Sequence, residues 1–331
     1  MTIALDAMGG DHAPTQIILG ALQAVNQFDI HIILVGQTDV INQHFNGHAN
    51  ISIHHASEVI QMDESPLQAY KKKKDSSIHV GLNLVKEGRA DAFLSAGNTG
   101  AVMSCSLFIL GRIPGVDRPA LASVIPTKQG RALMLDMGSN VDSKPNHLEQ
   151  YALMGHFFSS QVLHVENPKV GIINIGEEEE KGNQLVQDTF ALLKNNPLIN
   201  FVGNLEGKDI LFHKADVIVC DGFVGNTLLK FGEGLVDFLL SEIKNGIING
   251  NFLAKLGGFL LKPVFKSIKK RIDYEEYGGA PLLGIAGVSL VAHGKSHEKA
   301  IVSAIRTAIE AVETNMIQKI SSAIQHEHVV Q

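Results

Sequence analysis

The sequence predicts an α/β protein built on a mostly parallel sheet, and two observations carry that expectation. Apolar runs of strand length alternate with longer stretches of helix length. Five of those runs end in a polar, glycine-bearing loop that leads into a helix. Thr2–Leu5 runs into Asp6-Ala7-Met8-Gly9-Gly10-Asp11, and Ala92-Phe93-Leu94 into Ser95-Ala96-Gly97-Asn98-Thr99-Gly100-Ala101. Ala132–Leu135 runs into Asp136-Met137-Gly138-Ser139-Asn140, and Val170–Ile175 into Gly176-Glu177 and then Lys181-Gly182-Asn183. Val217–Cys220 runs into Asp221-Gly222-Phe223-Val224-Gly225-Asn226. Loops of one kind at the carboxyl ends of parallel strands fit one crevice of one sheet. The Ser95–Ala101 loop holds no bulky side chain, so a ligand can approach its backbone. The N–H groups that open the next helix favour an anion there.

The other elements follow in order. Ala13-Pro14-Thr15 opens a helix to about Asn26, with Pro14 near the first turn, where its missing N–H costs little. His31–Val35 is a β-rich run that Gly36 ends, and Asn50–His54 is another short strand. Ser65-Pro66 starts a helix carrying Lys71, Lys72, Lys73 and Lys74, and Ser76 or Ser77 caps the next, which runs to about Glu87. Strand–loop–helix units are expected at 91–110, 132–160, 170–195 and 217–245, with short strands at Leu121–Ile125 and Phe201–Val202. A strand near Gly284–Val291 and one long helix from about His297 to Ile324 close the fold, and Gln325–Gln331 is expected to fray. No long Pro/Ser/Gly-rich linker divides the chain, so residues 1–331 are expected to form one domain. From Ile243 to Ile272 there is no acidic residue, which marks a basic amphipathic helical arm at about 246–273.

Composition narrows the function. The chain has 331 residues, 45% hydrophobic and 19% charged, ample for a sizeable core. Lys+Arg 28 against Asp+Glu 34 gives −6, which argues against a general nucleic-acid binder, and Trp is absent. Cys105 and Cys220 sit in apolar runs, as core residues of a reducing compartment do. No charged segment followed by an apolar one opens the chain, and no apolar run approaches the ~20 residues that span a bilayer. The expected location is cytoplasmic, with at most peripheral attachment to a membrane. Neither G-x-x-x-x-G-K-[ST], G-x-G-x-x-G between strand and helix, nor G-x-S-x-G is present. Metal-ligand spacing is missing as well, since Asn46-Gly47 separates His44 from His48. His54, His55 and His293 read as core-edge or surface residues. What remains is an anion pocket in which Lys181 is the one embedded cation. A phosphate dianion is itself a nucleophile, so its attack on a thioester needs positioning and oxyanion stabilisation more than an activated serine.

These motifs resemble the bacterial phosphate acyltransferases of phospholipid synthesis over nearly the whole chain. The resemblance rests on Asp6–Asp11, Ser95–Ala101, Gly138-Ser139-Asn140-Val141-Asp142, Lys181-Gly182-Asn183, Asp221–Asn226 and Tyr277-Gly278-Gly279-Ala280. Ser139 departs from the family's alanine, and Glu177-Glu178-Glu179-Glu180 is more acidic than the family pattern, read here as a solvated helix start. The resemblance implies transfer of a fatty acyl group from acyl-carrier protein to inorganic phosphate, giving acyl phosphate and free carrier. It implies a three-layer α/β/α fold related to the phosphotransacetylases and the isocitrate/isopropylmalate dehydrogenases, usually as a homodimer. It also implies no cofactor beyond the carrier's phosphopantetheine, and a membrane glycerol-3-phosphate acyltransferase as the user of the product. A decarboxylating dehydrogenase of the related fold and a non-enzymatic carrier-binding module are the competing readings.

Site expectations follow from the loops. Ser95, Gly97, Asn98, Thr99 and Gly100 are expected to bind phosphate, with Lys181, Asn140, Asn226 and Asp221 as catalytic residues. Asp6, Gly9, Gly10, Asp11 and Asp136 are expected to orient the loops, and the aspartates to cap rather than carry protons. Lys71 to Lys74 are expected to dock the acidic carrier, a solvated helix face being the plainer account. Leu260, Leu261, Val264, Phe265 and Ile268 share a helical stripe opposite Lys262, Lys266, Lys269 and Lys270, with Gly257-Gly258 as a bend. That stripe suits an anionic membrane surface, or packing across a dimer.

Overall fold

A computed structural model describes residues 1–272 and 279–330, with 269–272 and 326–330 described by backbone alone. The chain begins β1 (Thr2–Asp6), α1 (Thr15–Gln27), β2 (His31–Gly36), α2 (Thr38–Asn42), β3 (Ile51–His55), α3 (Pro66–Lys72) and α4 (Ser77–Lys86). It continues β4 (Ala92–Ser95), α5 (Thr99–Ile109), β5 (Ala120–Leu121), β6 (Ser123–Thr127), β7 (Gly130–Leu135), α6 (Pro145–Gln161), β8 (Lys169–Ile173) and α7 (Gln184–Asn195). Then come β9 (Asn200–Leu205), β10 (Val217–Val219), α8 (Gly222–Asn249), α9 (Phe252–Leu260) and α10 (Lys262–Ile272). β11 (Ala280–Leu283), β12 (Val288–Val291), α11 (Glu298–Glu313) and α12 (Met316–Val330) complete it. Tyr277 and Gly278 of the last sequence motif lie outside the described residues, as do residue 273 of the arm and the side chains of Lys269 and Lys270.

The strands form two sheets, ordered β3-β2-β1-β4-β12-β11-β5 and β6-β7-β10-β8-β9. Pairing is parallel except where β11 meets β12 and β5, and where β6 meets β7. The five glycine loops therefore do not line one crevice of one sheet. Two of them follow β1 and β4; three follow β7, β8 and β10. The chain changes sheet at Ala122, between β5, the last strand of the first sheet, and β6, the first of the second. Pro126, which has no N–H to donate, sits on that edge strand, where its loss is harmless.

Strand period explains the layers. Leu5, Leu94, Leu135, Val219 and Leu290 pack in one hydrophobic cluster, with Tyr151 of α6, Ile305 of α11 and Ile320 of α12. Ala4, Phe93, Met134, Ile218 and Val291 pack in a second, with Leu82 of α4 and Val102 of α5. Neighbours along each strand thus face opposite sides, and both sheets feed both clusters. The architecture is three-layered, α/β/α.

Four local readings change. The expected single strand near 284–291 is the hairpin β11–β12, turning at Gly284 with φ 88°. The closing helix is two, because Asn315 adopts a left-handed φ of 52° between α11 and α12. The backbone of 325–330 continues α12 instead of fraying. The bend in the arm falls at Leu261, just before Pro263, and not at Gly257-Gly258, which lie inside α9.

Burial also sets an acid limit on stability. Desolvation holds the rings of His79 and His156 below the ordinary value of 6.5. A ring kept neutral by the fold contributes stability that is complete above the unfolded value and lost as pH falls below it. The thermal midpoint is therefore expected to drop between pH 7 and pH 5. His79→Phe keeps the stack on Tyr70 and should make that drop shallower; an unchanged slope would remove His79 from the account.

Candidate active site

The first cluster of loops is built around Asp6. Its Oδ2 accepts from Ser95 Oγ at 2.6 Å and its Oδ1 from the Met8 N–H at 3.0 Å. Burial raises the Asp6 carboxyl above the ordinary value, and these hydrogen bonds only partly oppose it. Ser95 Oγ in turn accepts from the Gly97 N–H at 3.0 Å. Gly9 lies against this group so closely that a Cβ there would stand 2.5 Å from Asp6 Oδ2 and 2.7 Å from the Gly97 nitrogen. Gly10 and Asp11 reach a further loop, where the Asp11 N–H donates to the Gly294 carbonyl at 2.7 Å. Asn98 caps α5 by accepting from the Ala101 N–H, and its amide donates to the carbonyls of Gln61, Met62 and Glu64.

The second cluster is built around Asp136. This buried carboxylate accepts from the N–H groups of Leu121, Ser139 and Asn140, from Ser139 Oγ and from Asn140 Nδ2. Burial raises its carboxyl too. Ser139, the departure from the family pattern, thus adds a hydroxyl to the loop core that donates to Asp136 and accepts from the Leu121 N–H. The Gly222 N–H donates to the Asn140 carbonyl at 2.9 Å, which joins this loop to the start of α8. Asp221 caps α8, its Oδ1 accepting from the N–H groups of Phe223 and Val224. Asn226 lies one turn on, its side chain beside Gly138. On the third loop, the Asn174 amide donates to the Lys181 carbonyl at 3.0 Å.

Availability separates the expected residues. Ser95 Oγ, the Gly97 N–H and the Asn98 amide are committed inside the chain, as is every donor of Asn140, whose Nδ2 also donates to the Pro119 carbonyl at 2.7 Å. The N–H groups of Thr99 and Gly100 bond to no described residue, as the first N–H groups of a helix do not. Exposed Lys181 forms no ion pair with any described residue. Its acidic neighbours are bends and turns, not a helix start, and two are engaged: Glu177 with Lys214 at 2.6 Å and Glu179 with Lys194 at 2.7 Å. Glu177, Glu206 and Asp209 stand close enough to share an ion. Lys214 bridges Glu177 and Asp209, and Lys208 pairs with Glu206, so cations already fill that role.

One loop escaped the sequence reading. β12 lies beside β4, and the Ala292 N–H donates to the Ser95 carbonyl at 2.8 Å, so Ala292–Ser296 joins the first cluster. Exposed His293 there faces Asp11 and Lys295, and also Lys230 and Glu233 of α8, which rises from the second cluster. Partial desolvation holds its ring below the ordinary value. The signal was available: a polar glycine run after an apolar strand, as in the other five.

The surface lysines divide. Lys73 pairs with Glu64, and Lys74 lies 3.7 Å from the Tyr70 ring centre; Lys71 and Lys72 are exposed. Their helix, α3, starts against the Ser95–Ala101 loop, where a Cβ on Gly100 would stand 2.5 Å from Pro66. In the arm, Leu260, Leu261, Val264 and Ile268 are exposed and Phe265 is half-buried. Among the described residues no helix is long and apolar enough to cross a membrane.

The α/β/α fold recurs in solved structures. A phosphotransacetylase from Streptococcus pyogenes matches at TM-score 0.63 and 14% identity, covering 95% of this chain and 94% of that one. A branched-chain phosphotransacylase from Enterococcus faecalis matches at 0.61 and 13%, covering 94% and 99%. Identity that low speaks for the fold alone: the chain has the phosphotransacetylase fold. A family model described as fatty acid synthesis protein matches residues 1–319. A phosphate acyltransferase of Desulfitobacterium hafniense (strain Y51) is 53% identical over 328 residues, 98% of this chain and 97% of that protein. A phosphate acyltransferase of Heliobacterium modesticaldum is 51% identical over 329 residues, 98% of each. The chain belongs to this fatty acid synthesis family, among its phosphate acyltransferases, and is an enzyme of the acyltransferase class.

Proposed function

We propose that the chain transfers a fatty acyl group from an acyl-carrier-protein thioester to inorganic phosphate, giving acyl phosphate and the free carrier thiol. The observation that carries the reading is the start of α5, where the Thr99 and Gly100 N–H groups bond to no described residue and the helix dipole favours an anion. A phosphate oxygen attacks the thioester carbonyl carbon, the C–S bond breaks, and the sulfur leaves as thiolate. Lys181 offsets the charge of phosphate and of the oxyanion, and Asn226 donates to the same group. Asn140, Asp136, Asp6 and Asp221 hold the loops in shape. No bound cofactor is required, because the phosphopantetheine arrives on the carrier. Incubation with acyl carrier should release free thiol only when phosphate is present; thiol release at the same rate without phosphate would overturn the reading. A carrier-binding module would release none.

Lys71 and Lys72 help to dock the acidic carrier, beside the loop that holds phosphate. Changing both to Ser should raise the KM for acyl carrier and flatten its dependence on salt, with kcat unchanged. If KM and its salt dependence both stay put, these lysines are ordinary surface.

The arm touches an anionic membrane surface, and the exposed Phe231, Leu235 and Phe238 of α8 pack against a second copy to make a homodimer. What supports this is exposure: Phe252 is 77% and Phe259 71% accessible, beside Lys255, Lys262 and Lys266. Membrane contact would deliver a reactive lipid product to a membrane glycerol-3-phosphate acyltransferase. Replacing Phe259 and Leu260 by Glu should abolish sedimentation with anionic liposomes while leaving dimer mass and activity intact. Loss of the dimer would favour packing between copies; unchanged sedimentation would sink membrane contact.

A further inference from the structure

The second loop cluster carries an apolar rim that the loop chemistry leaves unexplained. β10 lies between β7 and β8, with Val219 opposite Leu135 on one side and Ile172 on the other, so the three strands end in line. Their aliphatic residues are buried or half-buried, yet the segment that follows each one, a loop after β7 and β8 and the first turn of α8 after β10, exposes a large apolar side chain. Val141 is 60% accessible, Ile175 79% and Phe223 63%. Each is interleaved with the polar residues of the site. Val141 follows Asn140, whose carbonyl accepts the Gly222 N–H, and Phe223 follows Gly222 and donates its N–H to Asp221. Ile175 precedes Gly176, against which the stem of Lys181 lies, a Cβ there standing 3.1 Å from Lys181 Cγ.

We propose that Val141, Ile175 and Phe223 form the wall that receives the donor's acyl chain just beyond its first four carbons. The inference rests on the acyl-transfer reading and names the subsite that reading requires. A fatty thioester has a polar head and an aliphatic tail joined at one carbon, so a site for it must place apolar surface within a few atoms of its oxyanion donors. Three side chains at the ends of adjacent strands, two on loops and one in the first turn of α8, each next to a polar site residue, meet that demand. Three side chains suit a chain segment and not a protein partner, since a stable protein interface buries ~800 Å² and ~20 residues on each side. Each methylene that leaves water is worth ~4-fold in affinity, so the wall sets how strongly chain length is felt.

The test uses the full-length protein, phosphate and two acyl pantetheine thioesters, butyryl and palmitoyl, with thiol release as readout. Wild type is expected to prefer the longer chain. In I175S/F223S, kcat/KM for palmitoyl should fall ~10-fold or more while that for butyryl stays within ~2-fold, because only the longer chain loses apolar contact. V141S should shift the ratio in the same direction, and all three side chains are exposed, so melting temperature and oligomer mass should not change. An equal fall for both thioesters, or no fall for either, would overturn the proposal. A fall that accompanies loss of oligomer mass would overturn it too, and would assign the rim to contact between copies. Failure of the underlying reading looks different: wild type itself would release no phosphate-dependent thiol from either thioester.

Discussion

Lys181→Ala is expected to lower turnover at saturating phosphate by ~10²-fold or more, the loss typical when one group that stabilises developing charge is removed. The argument is one of position and freedom. Lys181 stands on the loop after β8, whose neighbour β10 leads into α8 and Asn226 and lies beside β7, which leads to the loop of Asn140; its ammonium pairs with no described carboxylate. Two lysines nearby differ: Lys194 and Lys214 are held by Glu179, Glu177 and Asp209. A cation already neutralised has little charge left for a substrate. Lys194→Ala is therefore the control, since an exposed ion pair is worth ~0–1 kcal/mol and its loss should leave turnover near wild type. Lys181→Arg, which keeps the charge but changes the shape of the donor, should fall between the two. Near wild-type turnover in Lys181→Ala would remove Lys181 from catalysis.

The fold was legible wherever local chemistry decided the outcome. Pro14, Ser76 and Asn183 flank helix starts because each either tolerates or satisfies the orphan N–H groups there. The sheets were not legible, because partner choice depends on residues far apart in sequence. Nothing local to Leu121 or Ser123 says that one joins β11 and the other β7. β11 was missed because Pro281 and the flanking glycines look like a turn, whereas here Pro281 lies on a four-residue strand. The break at Asn315 was hidden by an apolar period that continues through both helices.

The site was legible as chemistry and not as geometry. Glycine, amide and carboxylate at strand ends located the loops, yet composition could not divide ligand donors from internal ones. Asn98 and Asn140 looked like free amides, and each turned out to hold neighbouring carbonyls. Lys73 likewise looked like part of a docking cluster until Glu64 was found beside it. Such pairings join residues up to 37 positions apart for Asn98 and 14 for Lys73, which also donates to the Val59 carbonyl. They can be seen only once the chain is folded.

Gly225→Ala should destabilise the protein by ~1–3 kcal/mol or more, the range for forcing one extra methyl into a packed interior. Gly225, like Gly222, is a buried residue through which α8 touches the Asp136 loop. A Cβ there would overlap the Asp136 carbonyl oxygen and stand 3.0 Å from both the Asp136 carbonyl carbon and Cys220 Sγ. Backbone on one side and a buried thiol on the other leave it no room. Relief requires α8 to move off the loop, which opens the Gly222 N–H to Asn140 carbonyl bond and shifts Asn226 away from Gly138. Turnover should therefore fall along with the melting temperature, even though Gly225 itself offers no functional group. Gly232→Ala supplies the contrast on the same helix. No described residue lies within 4 Å of its missing Cβ, so alanine there should stabilise by ~0.5–1 kcal/mol through helix propensity alone. Melting curves of the two variants should thus move in opposite directions. If Gly225→Ala melts at or above wild type, the close approach of α8 to Asp136 is not what shapes the second cluster.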